Sequence, residues 1–351
     1  MHDTTALLID WYERHRRDLP WRETTDPYNI WISEIILQQT RVAQGLGYYL
    51  RFTARFPDVK TLADAPEDEV LRCWQGLGYY SRARNIHAAA KEVMTRFGGV
   101  FPTGYDEVRS LKGIGDYTAA AIVSFAYGQP RAAVDGNVYR WLARLFGVDT
   151  PIDSSEGKRD FAELAQWLLP EDRAAVFNQA AMEFGALQCV PKSPDCLMCP
   201  LADRCQALAC GTVESLPVKK TRTKTKIRWF NYLVVRCGGE TLLGQRTQKD
   251  IWQNLYEYPL IETGRAVDFS ELQTTEAFRK LFGGSGDVVL HRSVIVPKHV
   301  LSHRVIHAVF YEFEVSGFPD EMRNRYKVVA EKELDCYAVS RLIELYREKQ
   351  R

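Results

Sequence analysis

Four cysteines near the middle of the chain, Cys189, Cys196, Cys199 and Cys205, follow the pattern C-x6-C-x2-C-x5-C. Thiolates are soft ligands, and four of them this close in sequence usually close on one metal centre. A loop tied down in that way constrains the fold around it more than any other stretch does. A structural zinc site more often pairs two C-x2-C knuckles, and here only Cys196 and Cys199 form one. One long and one intermediate gap predict a larger object, a 4Fe–4S cube. Zinc, or four buried free thiols, are the plainer alternatives.

A chain of 351 residues predicts about two domains, and 46% hydrophobic residues support folded cores. No stretch reaches the length of a membrane span, and the start lacks an apolar signal core, so a cytoplasmic or organelle-interior enzyme is the default expectation. The other cysteines, Cys73, Cys210, Cys237 and Cys336, are scattered and do not form a secreted disulfide framework. Net charge is only +1, so any affinity for nucleic acid must be local. Lys219, Lys220, Arg222, Lys224, Lys226 and Arg228 form a run without acids that reads equally as a phosphate-tracking strip or a solvated linker.

The first two hundred residues carry helical spacing: Leu7, Leu8, Trp11 and Tyr12, then 30–40, 67–74, 81–97 and 172–187. From Ile227 the chain turns to β-branched and aromatic runs at 232–236, 288–296 and 308–315, with a closing helix expected over 338–347. The expected architecture is an all-α domain over 1–206, a basic linker over 207–226, and a smaller α+β domain over 227–351.

Leu111-Lys-Gly-Ile-Gly-Asp-Tyr-Thr reads as a helix-hairpin-helix, where Gly113 and Gly115 permit a tight turn and Asp116 begins the second helix. The exposed N–H groups of such a turn suit a DNA phosphate, although an ordinary αα-turn looks the same. Twenty residues past Gly115, Asp135 stands in a short loop before another helix, where alone it reads as a cap. Ile30 to Leu37 is apolar around most of its surface, with Glu34 and Gln38 as a narrow polar stripe. A carboxyl among apolar neighbours gains pKa and becomes a general acid usable at neutral pH. The plainer reading puts Glu34 on the exposed face of an amphipathic helix.

Hairpin, Asp135 loop and cysteine loop, in that order, resemble the endonuclease III-like, helix-hairpin-helix DNA glycosylases. Leu19-Pro-Trp-Arg22, Trp31-Ile-Ser-Glu-Ile-Ile-Leu-Gln-Gln-Thr40 and Gln75-Gly-Leu-Gly-Tyr-Tyr-Ser-Arg-Ala-Arg84 resemble one branch of them, the adenine DNA glycosylases of the MutY type. The resemblance implies that Glu34 protonates adenine, that Asp135 stabilises the cationic sugar, and that Tyr117 and Asn137 support them. It places Trp21 and Arg22 in the adenine pocket. Gln39, Thr40, Leu77 and Tyr79 match residues that wedge into the duplex or face 8-oxoguanine. Gln179 stands where some members carry a glutamate near the base. Relatives that cleave the strand carry lysine at the position of Tyr117, and some members carry lysine at that of Tyr139. This chain lacks both, which implies a monofunctional enzyme.

The C-terminal part resembles the family's Nudix-like module through Trp252-Gln-Asn-Leu-Tyr-Glu-Tyr-Pro259, but no R-E-x-x-E-E follows to hold magnesium. Leu301-Ser-His303 parallels a Phe-Ser-His motif, which makes Ser302 a contact to 8-oxoguanine. His299, His303 and His307 are spaced like a metal trio, but their β-rich setting argues against ligation. The resemblance thus implies a monomeric, cytoplasmic enzyme (nucleoid-associated in a bacterium) with a 4Fe–4S cluster on the four cysteines. Its partner is duplex DNA containing A·8-oxoguanine or A·G. A thymine-mismatch or pyrimidine-lesion glycosylase, a non-catalytic iron–sulfur DNA-binding protein and a Nudix hydrolase are the rivals.

Overall fold

The computed structural model describes residues 3–220, 225–283 and 288–350. The chain forms two compact units, Met1–Asp64 with Asn85–Arg222, and Ala65–Arg84 with Thr223–Arg351. The first is helical. Its elements begin with α1 (Asp3–His15), α2 (Pro27–Leu37), α3 (Val42–Arg55) and α4 (Val59–Asp64). After α5 (Glu67–Trp74), which lies in the second unit, come α6 (Ser81–Phe97), α7 (Tyr105–Ser110) and α8 (Asp116–Tyr127). Then follow α9 (Gly136–Phe146), α10 (Ser155–Leu168), α11 (Ala174–Leu187) and the short α12 (Gln206–Ala209).

Helix α2 starts cleanly because Pro27 needs no N–H donor and the Asp26 carboxylate accepts from the Tyr28 N–H at 2.9 Å. Every residue from Ile30 to Ile36 is buried. A helix apolar on nearly all sides belongs in a core, and this one is packed between α3 and α8. It carries Glu34 inside with it. The helix stops at Leu37, three residues short of the expected Thr40, because Gln38 leaves helical geometry and Gln39 takes a left-handed φ of 58°.

A second core cluster joins α1, α9, α10 and α11 through Trp11, Leu142, Phe161, Phe177 and Phe184. Phe184 meets Trp11 edge-on at 5.2 Å. Helix α11 can approach the start of α9 only because residue 185 is glycine. A Cβ there would lie 2.5 Å from the Asn137 carbonyl oxygen. In the hairpin, Gly113 has a φ of 79°, and Asp116 opens α8 as expected. Helix α11 begins at Ala174, after a 3-10 turn over Glu171–Arg173, rather than at 172.

The second unit is built on a mixed sheet. Its strands are β1 (Lys226–Cys237), β2 (Glu240–Gln245), β3 (Tyr256–Glu257), β4 (Leu260–Thr263), β5 (Leu290–Ile295), β6 (His299–Leu301), β7 (Arg304–Glu314) and β8 (Lys327–Ala330). The main order is β3-β2-β1-β7-β5. β1 and β7 run parallel from Lys226↔Arg304 to Arg236↔Glu314, and the other pairs are antiparallel. Phe230 to Val235 of β1 are all buried, as a central strand requires. Helices α13 (Phe269–Leu272), α14 (Glu276–Phe282) and α15 (Asp320–Arg325) lie among the strands, and α16 (Arg341–Glu348) closes the chain. α16 starts at Arg341 rather than 338 because Ala338 and Val339 are engaged by Tyr256, the first through a backbone hydrogen bond and the second through a bridge.

Residues 65–84 are tied into this second unit. The Gln75 amide donates to Glu344 at 2.6 Å, the Tyr80 hydroxyl to the Val339 carbonyl at 3.2 Å, and Arg84 to the Gln253 carbonyl at 2.8 Å. Of the basic run, Arg222 and Lys224 lie outside the described residues. Arg228 is no free phosphate ligand: it sits in β1, paired with Glu262 at 2.6 Å and Asp250 at 2.7 Å.

Candidate active site

The first unit holds an open cleft of about 1280 Å³ between α2, α8, the start of α9 and α11. Glu34 projects into it from α2 and is 8% exposed. The Tyr117 phenol, on the first turn of α8, donates to its Oε2 at 2.7 Å. The exposed-face reading of Glu34 therefore fails, since no side of α2 faces bulk solvent at that position. Burial pushes the Glu34 carboxyl up from 4.5 to about 7. The Tyr117 hydrogen bond opposes this, the Asp135 charge adds to it, and Arg22 opposes it. The carboxyl is thus half protonated near neutral pH, where a proton donor is most useful.

Asp135 caps α9 and lines the cleft at once. Its Oδ1 accepts the N–H of Asn137 at 2.9 Å and of Val138 at 2.8 Å, and its Oδ2 accepts from the Asn137 amide at 2.7 Å. Burial holds its pKa above the usual aspartate value, although these three donors and Arg140 pull the other way. Three N–H groups aimed at one carboxylate favour the anion. Asn137 is itself oriented, since its Oδ1 accepts from Arg140 at 2.9 Å. A buried acid able to hold a proton thus shares one cleft with a carboxylate that accepts three N–H donors.

Trp21, Arg22, Gln39, Thr40 and Gln179 line the same cleft. Trp21 packs edge-on against Tyr49 at 5.1 Å. Gln179 accepts the Tyr12 hydroxyl at 2.6 Å. One turn further along α11 is a carboxylate that sequence reasoning missed, Glu183, which binds both Arg17 and Arg22. Its i, i+4 relation to Gln179 was the available signal. Gly115 reaches the cleft edge, whereas Gly113 stays in the hairpin turn.

Leu77, Tyr79 and Ser302 lie in the second unit. Leu77 is buried, and Tyr79 is 46% exposed with a left-handed φ of 47°. The Tyr79 and Ser302 hydroxyls are hydrogen-bonded at 2.6 Å. His299 packs against Trp252, and His307 stacks on Trp229 at 4.2 Å, so these rings are engaged in packing.

Cys189, Cys196, Cys199 and Cys205 line one apolar hollow with Leu208 and Val213. Arg144, buried in α9, donates to the Val190 carbonyl at 2.7 Å and the Pro191 carbonyl at 3.0 Å, which shapes the start of the loop. Among the described residues no three His, Cys, Asp or Glu side chains are arranged to hold a single metal ion.

Residues 32–166 match the HhH-GPD superfamily base excision DNA repair proteins, and residues 231–349 match the NUDIX domain. Over 257 residues the chain is 37% identical to an adenine DNA glycosylase of Buchnera aphidicola subsp. Baizongia pistaciae, covering 72% of each protein. The chain belongs to the adenine DNA glycosylase family. The Homo sapiens adenine DNA glycosylase is 40% identical over 209 residues, 57% of this chain and 38% of that protein. A thermostable thymine-DNA glycosylase superposes with a TM-score of 0.56 at 29% identity, over 59% of this chain and 95% of that one. Endonuclease III in a non-covalent DNA complex gives 0.52 at 23% identity, over 59% and 94%, and shows the shared helical fold. As an adenine DNA glycosylase in base excision repair, the enzyme hydrolyses an N-glycosidic bond. The expected helical glycosylase domain followed by a smaller Nudix-like domain is what the chain forms.

Proposed function

We propose that this adenine DNA glycosylase excises adenine opposite 8-oxoguanine or guanine in duplex DNA, as a monomer and without cutting the strand. The observation that carries the reading is the buried Glu34–Tyr117 pair facing an Asp135 held by three N–H donors. Adenine must leave the stack to reach Glu34. The Glu34 proton goes to N7, which makes the base a better leaving group. The C1′–N9 bond breaks, and the sugar cation that develops is stabilised by the Asp135 anion. Water adds at C1′, its released proton restores the Glu34 carboxyl, and an abasic site is left. Position 117 offers a phenol rather than an amine, so no Schiff base forms there and the strand stays whole.

Duplexes carrying single defined mismatches test this, each treated with enzyme and then split into arms with and without alkali. Breaks at A·8-oxoguanine and A·G that appear only after alkali are expected. Breaks before alkali, or equal action on T·G, would overturn the reading. Adenine is undamaged, so selectivity must come from its partner base. Ser302, exposed beside Tyr79, supports a role for the second unit in reading 8-oxoguanine. A neutral hydrogen bond contributes about 1 kcal/mol. Ser302→Ala should therefore lower the preference for A·8-oxoguanine over A·G by about fivefold in single-turnover assays, and an unchanged ratio would remove Ser302 from the site.

The four cysteines fit a 4Fe–4S cluster. All four are soft donors lining one apolar hollow. The cluster would supply a structural tie that holds the loop from Cys189 to Cys205 for DNA binding. Protein purified without oxygen is expected to contain about four irons per chain. Stoichiometric zinc would contradict this. Among the described residues no helix is long and apolar enough to cross a membrane, and the proposed setting is the cytoplasm, where such an enzyme would meet its DNA.

A further inference from the structure

Glu183 is the most heavily bonded carboxylate in the cleft wall, and the proposed chemistry does not use it. It is 1% exposed. Its Oε1 accepts the Arg17 backbone N–H at 2.9 Å, Arg17 Nε at 2.9 Å and Arg22 NH1 at 3.0 Å. Its Oε2 accepts from Arg17 NH2 at 2.6 Å and Arg22 NH2 at 2.8 Å. Arg22 also donates to the Arg17 carbonyl at 2.9 Å, and its guanidinium lies 5.6 Å from the centre of the Tyr12 ring. This is more than a surface ion pair: Arg22 is fixed in position and orientation within the cleft.

We infer that Glu183 is a positioning residue that holds Arg22 in the cleft wall and offsets its guanidinium charge, so that the cleft containing Glu34 does not also hold an unopposed Arg22 cation. The inference rests on Glu34 as the proton donor. A cation facing a carboxyl favours the ionised form, which cannot protonate adenine. An adenine pocket that uses an arginine therefore works against its own acid unless the arginine is neutralised. Charged and polar groups reach the cleft that holds Glu34 from each element around it. Tyr117 comes from α8, Asp135 and Asn137 from the start of α9, and Gln38 from the end of α2. Arg17 and Arg22 come from the turns after α1, and Gln179, Met182 and Glu183 from α11. Of these cations Arg22, which Glu183 holds, is the one whose charge draws the Glu34 pKa down. Arg140, the other cation near Asp135, is already committed to the Asn137 amide and the Cys189 and Gly185 carbonyls.

The test is the pH profile of single-turnover excision on an A·8-oxoguanine duplex. Counting Arg22 and Glu183, the wild type carries no net charge, Glu183→Gln one positive charge, Arg22→Gln one negative charge, and the double variant none again. The fall in rate as Glu34 loses its proton should move about one pH unit lower in Glu183→Gln. It should move higher in Arg22→Gln and return to the wild-type position in the double variant. A loss of packing alone would lower the rate at every pH and move no limb. Arg22→Gln keeps the carboxylate and its Arg17 partner, so it reads the charge even if Glu183→Gln does not fold. A limb present in the wild type but unmoved in Arg22→Gln, or unmoved in a folded Glu183→Gln, overturns the inference. A wild-type profile with no limb near neutral pH overturns Glu34 as the acid and this inference with it.

Discussion

Glu34→Gln is expected to cut adenine excision by about 100- to 10,000-fold while duplex binding persists, the range spanned by loss of a general acid. Gln can still accept the Tyr117 hydroxyl, so the cleft keeps its shape and only the proton is lost. Wild-type excision should fall as pH rises through about 7, because the protonated Glu34 is the active form. Stability should move in the same sense. Between pH 4.5 and about 7 the folded protein holds a proton at Glu34 that the unfolded chain has lost, so stability falls as pH rises through that window. The shift corresponds to roughly 3 kcal/mol at higher pH. Glu34→Gln removes this cost, so the inactive variant should melt no lower than the wild type at pH 8, and higher if the buried charge dominates. Near-normal single-turnover excision by this variant would sink the assignment.

Asp135→Asn should collapse excision by about 100- to 1000-fold, the size of a lost charge-stabilising group. The cap and the cation stabiliser are the same side chain here, and this substitution separates them. Asn is as good an N-cap as Asp, so the bonds from the Asn137 and Val138 N–H groups can survive. The second position, an amide, would then face the Asn137 amide, whose oxygen is already engaged by Arg140. A modest loss of melting temperature with a large loss of rate is expected. Activity within a fewfold of wild type, measured with enzyme in excess over duplex, would leave Asp135 as a cap only.

The chain's architecture was legible because its signals are local. Periodicity marked α5 and α6 at their observed bounds, the Gly113–Gly115 turn marked the start of α8, and β-branched runs marked β1, β5 and β7. Element ends were less legible, because neighbours set them. Gln39 turns left-handed after α2, and Tyr256 holds Ala338 and Val339 out of α16. The membership of residues 65–84 in the second unit also escaped the sequence, since the bonds from Gln75, Tyr80 and Arg84 span more than 160 positions.

By itself the sequence determined which residue types were available and their order: an acid in an apolar helix, a hairpin, an aspartate before a helix, and four cysteines at a telling spacing. Those are properties of short segments, and motif and periodicity record them. Only the tertiary structure decided which of them meet. Burial of α2 on every side turned Glu34 from a surface residue into a carboxyl with a pKa of about 7, and the close approach allowed by Gly185 brought α11 to the start of α9. Packing also put Glu183 on Arg17 and Arg22, across more than 160 residues of chain. Desolvation and charge pairing depend on what lies within a few ångströms in space, and the linear order of residues does not state that distance.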